Sequence, residues 1–462
     1  MSSPRAMGLS ELNLRYAYLE ERQTRLLREL EEIREVKKQL DAERATYAPV
    51  YLVPDDVLYQ ILEEAYAHNS EACTLDYRCD TPMAITHVSR RWRYLALSLP
   101  KIWACIHVPT PLSKGHLPLL NLSVIRSQPL PISFSIRCRY YKSASPEIRL
   151  YMDCLALLLK SKVRSCTICT DYVDTMETLI GYLSNADKSR FGTLRLQVMG
   201  EENSLLMDGD CLSCSLRSLS LHAVRLPSPP IALHGLRELL LEYQPISLRY
   251  LHEIAIACPE LTIFTTRDIT TTSHGSHLEA RFPSLRHLSL LEVHFSGIRD
   301  LLCWVEAPRL ETLVIRDISL GSSDAQPVPV PQYRTYPTLK HISIRFPYAA
   351  SHIPQFLHYT PNVVSLDLEG TNAVPLLGVM LSAEKNTFLS RLRKLTVSVA
   401  WDEQYEALFL NVVRQRKEAG EGLDEMVFGH LLLAKMDNAF LQSLSRHVTV
   451  TRLEARETSR SA

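Results

Sequence analysis

A chain of 462 residues, 46% hydrophobic and 22% charged, has the balance of a soluble folded protein and excludes wholesale disorder. Lysine plus arginine equals aspartate plus glutamate at 51 each, so the net basic surface of a generic nucleic-acid or anionic-membrane binder is missing. No run approaches roughly 18 uninterrupted apolar residues and the N-terminus is polar, which predicts no membrane span, no signal peptide and a cytoplasmic or nuclear protein.

The first element is a helix. Leu12, Leu19, Leu26, Ile33 and Leu40 recur every seventh residue, and no Gly or Pro interrupts Leu9 to Ala48. With those five at position d of a heptad, position a holds Leu9, Tyr16, Gln23, Leu30 and Lys37, so only one of the two seam positions is consistently apolar. Residues 9–48 therefore make either a coiled coil that pairs two copies of the chain or a single solvated helix.

A compact helical unit follows over residues 49–108. Pro54, Asp55 and Asp56 are a helix start, and Val57, Leu58, Ile61, Leu62 and Ala65 fall on one apolar face. After Pro82, Ile85, Val88, Trp92 and Leu95 stand at helical spacing until Pro100 stops them, and Lys101 to Ile106 closes the unit. A segment of about 60 residues cannot enclose two tryptophans and this many aliphatics alone, so part of the face belongs to a partner.

These residues resemble the F-box, in a form known from large fungal F-box-like families. The likeness lies in Pro54-Asp55-Asp56-Val57-Leu58 through Ile61-Leu62, in Val88-Ser89-Arg90-Arg91-Trp92-Arg93 through Leu95-Ala96, and in Leu99-Pro100 with Ile102-Trp103 and Ile106. Val53 stands where a leucine is usual, Ser89 where a cysteine is common, and the polar stretch Ala67 to Asp80 separates the helices. The resemblance implies a helical hook that docks onto the Skp-type adaptor of a cullin-RING ubiquitin ligase. The adaptor-binding residues it implies are Pro54, Val57, Leu58, Ile61, Leu62, Val88, Trp92, Leu95 and Trp103.

Pro109-Thr110-Pro111 marks a boundary, and a periodic α/β region is expected over 117–455. It opens with a short apolar helix from Leu117, a strand at Pro131 to Cys138, a helix from Pro146 to Lys160 and a strand near Val163 to Thr170. A loose Leu-x-x-Leu-x-Leu phrase then starts at Phe191, Leu216, Leu236, Leu261, Leu285, Leu310, Leu339, Val363 and Leu392. Its steps of roughly 20 to 29 residues fit the leucine-rich range. Pro259, Pro283, Pro308, Pro337 and Pro361 stand two residues ahead of five of these starts, where proline ends a helix and suits a strand. Each repeat is read as a strand and a returning helix, stacked into a solenoid with parallel strands on the concave side and helices outside.

The section resembles the leucine-rich repeats found behind many F-boxes. It departs at the ninth place of the phrase, where Asn or Cys is usual and this chain has Val224, Gln244, Ile269, Val293, Ile318, Pro347, Thr371 and Ala400. Loops are expected at Thr265 to Phe282 and Gly321 to Tyr336. A helix from Trp401 to about Lys417 and the segments Leu423 to His430 and Val448 to Leu453 read as terminal caps.

The 11 cysteines are odd in number and scattered, as reduced thiols would be. The pairs Cys166/Cys169 and Cys211/Cys214 have zinc-knuckle spacing, but residues three apart in a strand face opposite ways, so shared metal is disfavoured and no cofactor is expected. No phosphate-binding glycine loop, Gly-x-Ser-x-Gly or His-Glu-x-x-His is present, which points away from an enzyme. His287 and His341 sit at matching places beside Arg286 and Lys340, and Arg217, Arg237 and Arg393 repeat the basic position. These seven make either a surface for an acidic or phosphorylated target protein or the solubilising face of a solenoid. Two roles follow: the substrate-recognition subunit of a ubiquitin ligase, or a non-ligase repeat scaffold with a degenerate F-box.

Overall fold

The structure is a computed structural model that describes residues 4–47, 53–71, 81–138, 146–184, 191–199, 205–206, 215–227, 233–244, 246–267, 279–292, 302–316, 335–346, 357, 359–370, 389–398, 404–429 and 436–452. Cys211, Cys214 and most of the expected loop Gly321 to Tyr336 lie outside them. The chain forms two compact units, one holding the described residues up to Ile102 and the other those from Trp103 onward.

In the first unit, α1 (Pro4–Tyr47) is a continuous helix of 44 residues. It is braced along its length by Glu11–Arg15, Arg25–Glu29, Glu31–Arg34 and Glu35–Lys38 ion pairs of 3.0 to 3.3 Å. The helices α2 (Asp55–Glu71), α3 (Thr81–Val88), α4 (Arg90–Leu97) and α5 (Pro100–Trp103) follow, and the last residue of α5, Trp103, already belongs to the second unit. The single helix expected after Pro82 is two. Ser89 leaves the helix at φ −157°, and its hydroxyl accepts from the Trp92 amide at 3.2 Å, so it caps α4 and ends α3.

Among the described residues the second unit is organised on one sheet of 14 strands, all parallel and stacked in chain order. They are β1 (Cys105–Val108), β2 (Ile132–Cys138), β3 (Val163–Thr170), β4 (Thr193–Val198), β6 (Ser218–His222), β8 (Glu238–Glu242) and β9 (Ile263–Arg267). Then come β11 (His287–Leu291), β13 (Thr312–Arg316), β14 (His341–Phe346), β15 (Ser365–Gly370), β16 (Lys394–Ser398), β17 (Glu425–Phe428) and β18 (Thr449–Arg452). Two short pairs stand apart, β5 (Leu205–Leu206) with β7 (Val224–Arg225) and β10 (Ala280–Arg281) with β12 (Val305–Glu306). The helices are α6 (His116–Ser127), α7 (Pro146–Leu158), α8 (Val173–Ser184), α9 (Leu248–Ala257), α10 (Gln404–Glu418) and α11 (Asn438–Ser445). The sheet therefore begins at Cys105, inside the segment assigned from sequence to the helical unit. Pairing with β2 makes 105–108 a strand, and that partner is distant in sequence. The expected loop from Thr265 likewise starts late, because Thr265 to Arg267 belong to β9.

Each of the nine phrases begins two residues ahead of a strand. The first, fourth and sixth places point into the core, as with Leu310, Leu313 and Ile315, or Leu339, Ile342 and Ile344, all at most 1% exposed. The five prolines each occupy the second position of a β-turn. The amide of the first phrase residue closes it on the carbonyl before the proline, as in Leu310 to Ala307 at 3.1 Å and Leu339 to Tyr336 at 3.2 Å.

Three strand ends show what stands in for an Asn at the ninth place, whose residues Ile269, Val293, Ile318, Pro347, Thr371 and Ala400 lie outside the described residues. The eighth residue adopts a left-handed conformation at Ala223 (φ 53°), Tyr243 (φ 54°) and Glu292 (φ 53°). Its amide bonds the carbonyl at the end of the next strand: Glu242, Arg267 and Arg316, at 2.9, 3.1 and 2.9 Å. A left-handed non-glycine residue costs about 1–2 kcal/mol, so backbone strain here replaces a side-chain ladder. At the ninth place Val224 is buried as core, and Gln244 is buried with neither amide atom hydrogen-bonded among the described residues.

Candidate functional site

Helix α2 sorts its residues into three stripes. Leu58, Leu62 and Tyr66 are buried. On a second stripe Asp55, Tyr59 and Glu63 hold the segment that follows α3: Arg91 Nε to Asp55 at 2.8 Å, Tyr59 Oη to Ser98 Oγ at 2.8 Å, and Lys101 Nζ to Glu63 at 2.9 Å. Arg91 also donates to the Val53 carbonyl at 2.6 Å, which ties α4 to the approach to α2. The third stripe carries Val57 and Ile61, spaced one turn apart and 40% and 45% exposed.

This geometry divides the nine residues expected to meet an adaptor. Pro54, Val57, Ile61 and Val88 are exposed, and Trp92 is half-buried. Leu58, Leu62 and Leu95 are core, each 1% exposed, and reach no partner without unfolding the hook. Trp103 is likewise buried, 2% exposed, with the Arg126 guanidinium of α6 over its ring at 4.5 Å. Met83, Tyr94 and Leu97 are further exposed apolar side chains of the same unit that the sequence pattern did not single out. On short helices, hydrophobic spacing alone does not say which of two adjacent stripes faces outward.

The open face of the sheet carries the third, fifth and seventh places of the phrase. Arg217, Arg237, Arg286, Lys340 and Arg393, at the second place, are all exposed, and their carbonyls take two amides from the next repeat. Thr262 and Ile263 bond Arg237 in this way at 2.8 and 2.9 Å. The backbone does the structural work there and leaves the side chain free to vary. The stripe is partly neutralised, since Arg286 lies 3.5 Å from Glu311 and His341 lies 3.4 Å from Asp367. Arg393 donates to the Gly422 carbonyl at 2.7 Å. His287 and His341 flank Thr312 in the same register row, and burial followed by the charge of His341 lowers the His287 pKa.

A denser charge cluster sits at the seventh and eighth places, which the sequence pattern missed. His222 Nδ1 lies 3.2 Å from Glu242, and Arg267 lies 3.8 Å from Glu242 and 2.8 Å from Glu292. The Tyr243 ring stacks obliquely on His222 at 4.6 Å. Burial works against the Glu242 carboxylate, but His222, Arg267 and Arg195 outweigh it and leave its pKa lowered. These partners belong to different repeats, so only the seven-residue offset within each phrase could have signalled them. Cys166 and Cys169 are both buried on β3, and burial pushes the Cys166 thiol up. Among the described residues no group of three His, Cys, Asp or Glu side chains is placed to hold a metal ion.

Residues 194–343 match a family model described as "FBD-associated F-box protein At5g56370, LRR repeats". The second unit is a leucine-rich-repeat solenoid. The match joins such repeats to F-box proteins, and its plant-type name lends nothing to a specifically fungal lineage. No curated protein matches the chain in sequence. A solved structure titled "Crystal structure of TLR13-ssRNA13 complex" is similar at 14% identity and a TM-score of 0.38, over 76% of this chain. This chain spans about half that chain's length, 54%, and a similarity at that score adds nothing to the reading of this solenoid. No described helix is long and apolar enough to cross a membrane.

Proposed function

We propose that the chain is a substrate-recognition subunit of a cullin-RING ubiquitin ligase. In this reading the helical unit docks a Skp-type adaptor and the open sheet face holds a target protein. The observation that carries it is the outward stripe of Val57 and Ile61 on a helix whose neighbouring stripes are already used for packing and pairing. An apolar pair at one-turn spacing on a rigid helix is the form of a helix-mediated protein contact. The match of the repeats to a family named for F-box proteins supports the same role. The role is non-enzymatic and belongs to the cytoplasm or nucleus: the chain brings a target to chemistry performed elsewhere.

Capture of a purified Skp-type adaptor by the full chain tests the proposal, with Ile61→Asp as the contrast. Retention by the parent protein and loss in the variant is expected. No retention by a folded parent protein would overturn the proposal and leave the reading of a repeat scaffold that recruits no ligase.

A further inference from the structure

Helix α1 presents a surface that the ligase reading does not use. Every described side chain from Ser10 to Glu43 is exposed, and its large apolar residues are 51% to 71% exposed. A helix that leaves a heptad row of apolar side chains mostly exposed among the described residues offers one half of an interface. Their heptad order selects the other half.

We infer that α1 pairs with α1 of a second copy as a parallel two-stranded coiled coil. Leu12, Leu19, Leu26, Ile33 and Leu40 form the d layers, and Tyr16 and Leu30 strengthen the a layers. Two shallow grooves lie along this helix, one lined by Leu19, Arg22, Gln23, Leu26, Leu27 and Leu30, the other by Glu29, Glu32, Ile33, Val36, Lys37 and Leu40. Each includes four residues at successive d, g, a and d positions, the set that receives an a-position knob from a parallel partner.

The flanking charges agree with a second copy in parallel register. Each g residue then faces the e residue five places further along the other helix, which sets Arg15 opposite Glu20 and Glu29 opposite Arg34. The two remaining pairs, Arg22 with Leu27 and Val36 with Asp41, bring no like charges together. Gln23 and Lys37 weaken their layers, and buried polar a positions of this kind favour two strands in one register over larger bundles. The pairing joins two copies of the chain, and so two helical units and two repeat surfaces, in one particle.

Light scattering on the full chain, eluted from a sizing column, tests the pairing. Twice the chain mass of 52.6 kDa is expected, and Leu26→Asp with Ile33→Asp should reduce it to one chain. A monomeric parent protein, or a dimer indifferent to that double substitution, would overturn the inference. For orientation, Leu12→Cys should cross-link copy to copy on mild oxidation where the parent protein does not. A dimer linked only when Lys37→Cys is added would be antiparallel and would overturn the parallel assignment. Adaptor capture by the Leu26→Asp, Ile33→Asp protein is a separate readout, so loss of pairing and failure of the ligase reading are distinguishable.

Discussion

Leu58 and Ile61 are three residues apart on α2 and should behave in opposite ways when substituted. Leu58 is 1% exposed, so Leu58→Ala removes buried carbons and leaves a cavity, at a cost of about 2–5 kcal/mol. A small helical unit holds only a few kcal/mol in total, so this loss should melt it, seen as rapid amide exchange across α2 and α4. Ile61 is 45% exposed, and Ile61→Ala should change folding by less than about 0.5 kcal/mol. Fully burying an isoleucine contributes about 1.5–3 kcal/mol, so if the proposed adaptor covers the exposed part it gains about 1 kcal/mol of binding. The affinity of Ile61→Ala should fall about fivefold, and that of Ile61→Asp by about a hundredfold or more, because a carboxylate would be buried without a partner. Exchange-detected mass spectrometry and calorimetric titration with the adaptor measure the two effects. If Ile61→Ala destabilised the unit as much as Leu58→Ala, or if Ile61→Asp bound the adaptor normally, the division of α2 into a packed stripe and a docking stripe would be wrong.

The open-face cluster predicts acid sensitivity. Since the Glu242 pKa is lowered on folding, its contribution is complete above the ordinary value of 4.5 and is lost as pH falls through the lowered one. Glu242→Gln should therefore cost about 1–2 kcal/mol at neutral pH, where Arg267 keeps Glu292, with the gap closing in acid denaturant melts; a gap that widens below pH 4 would contradict the sign. Gln244→Leu should raise stability by about 1 kcal/mol, since it replaces a buried amide lacking hydrogen bonds with carbon, and a lower melting temperature would show that the amide is satisfied. Tyr336 donates to the Leu302 and Val305 carbonyls at 3.1 and 2.9 Å, so Tyr336→Phe should cost about 1–2 kcal/mol in urea unfolding, and a neutral result would contradict the bond.

The repeat strands were legible because their signal is local: alternate residues of a strand face opposite sides, so Leu285, Leu288 and Leu290 announce a buried face without knowledge of neighbours. The continuous α1 was legible for a similar reason, having no residue that breaks a helix. Ser89 was harder to read, since a serine inside an apolar helical pattern becomes a cap only once its hydroxyl finds the Trp92 amide. The basic places were visible as residue types, whereas Glu311 beside Arg286 and Asp367 beside His341 became neighbours only through strand register.

The amino-acid order by itself determined the repeat, its period and the residues that fill its core, because each follows from side-chain periodicity along one strand. Tertiary structure alone decided that Trp103 is enclosed, that 105–108 is a strand, that Val57 and Ile61 face outward while Leu58 and Leu62 do not, and that His222, Glu242, Arg267 and Glu292 meet. Those outcomes depend on which distant segments share a backbone ladder or a packed face, and that proximity is created only when the chain folds.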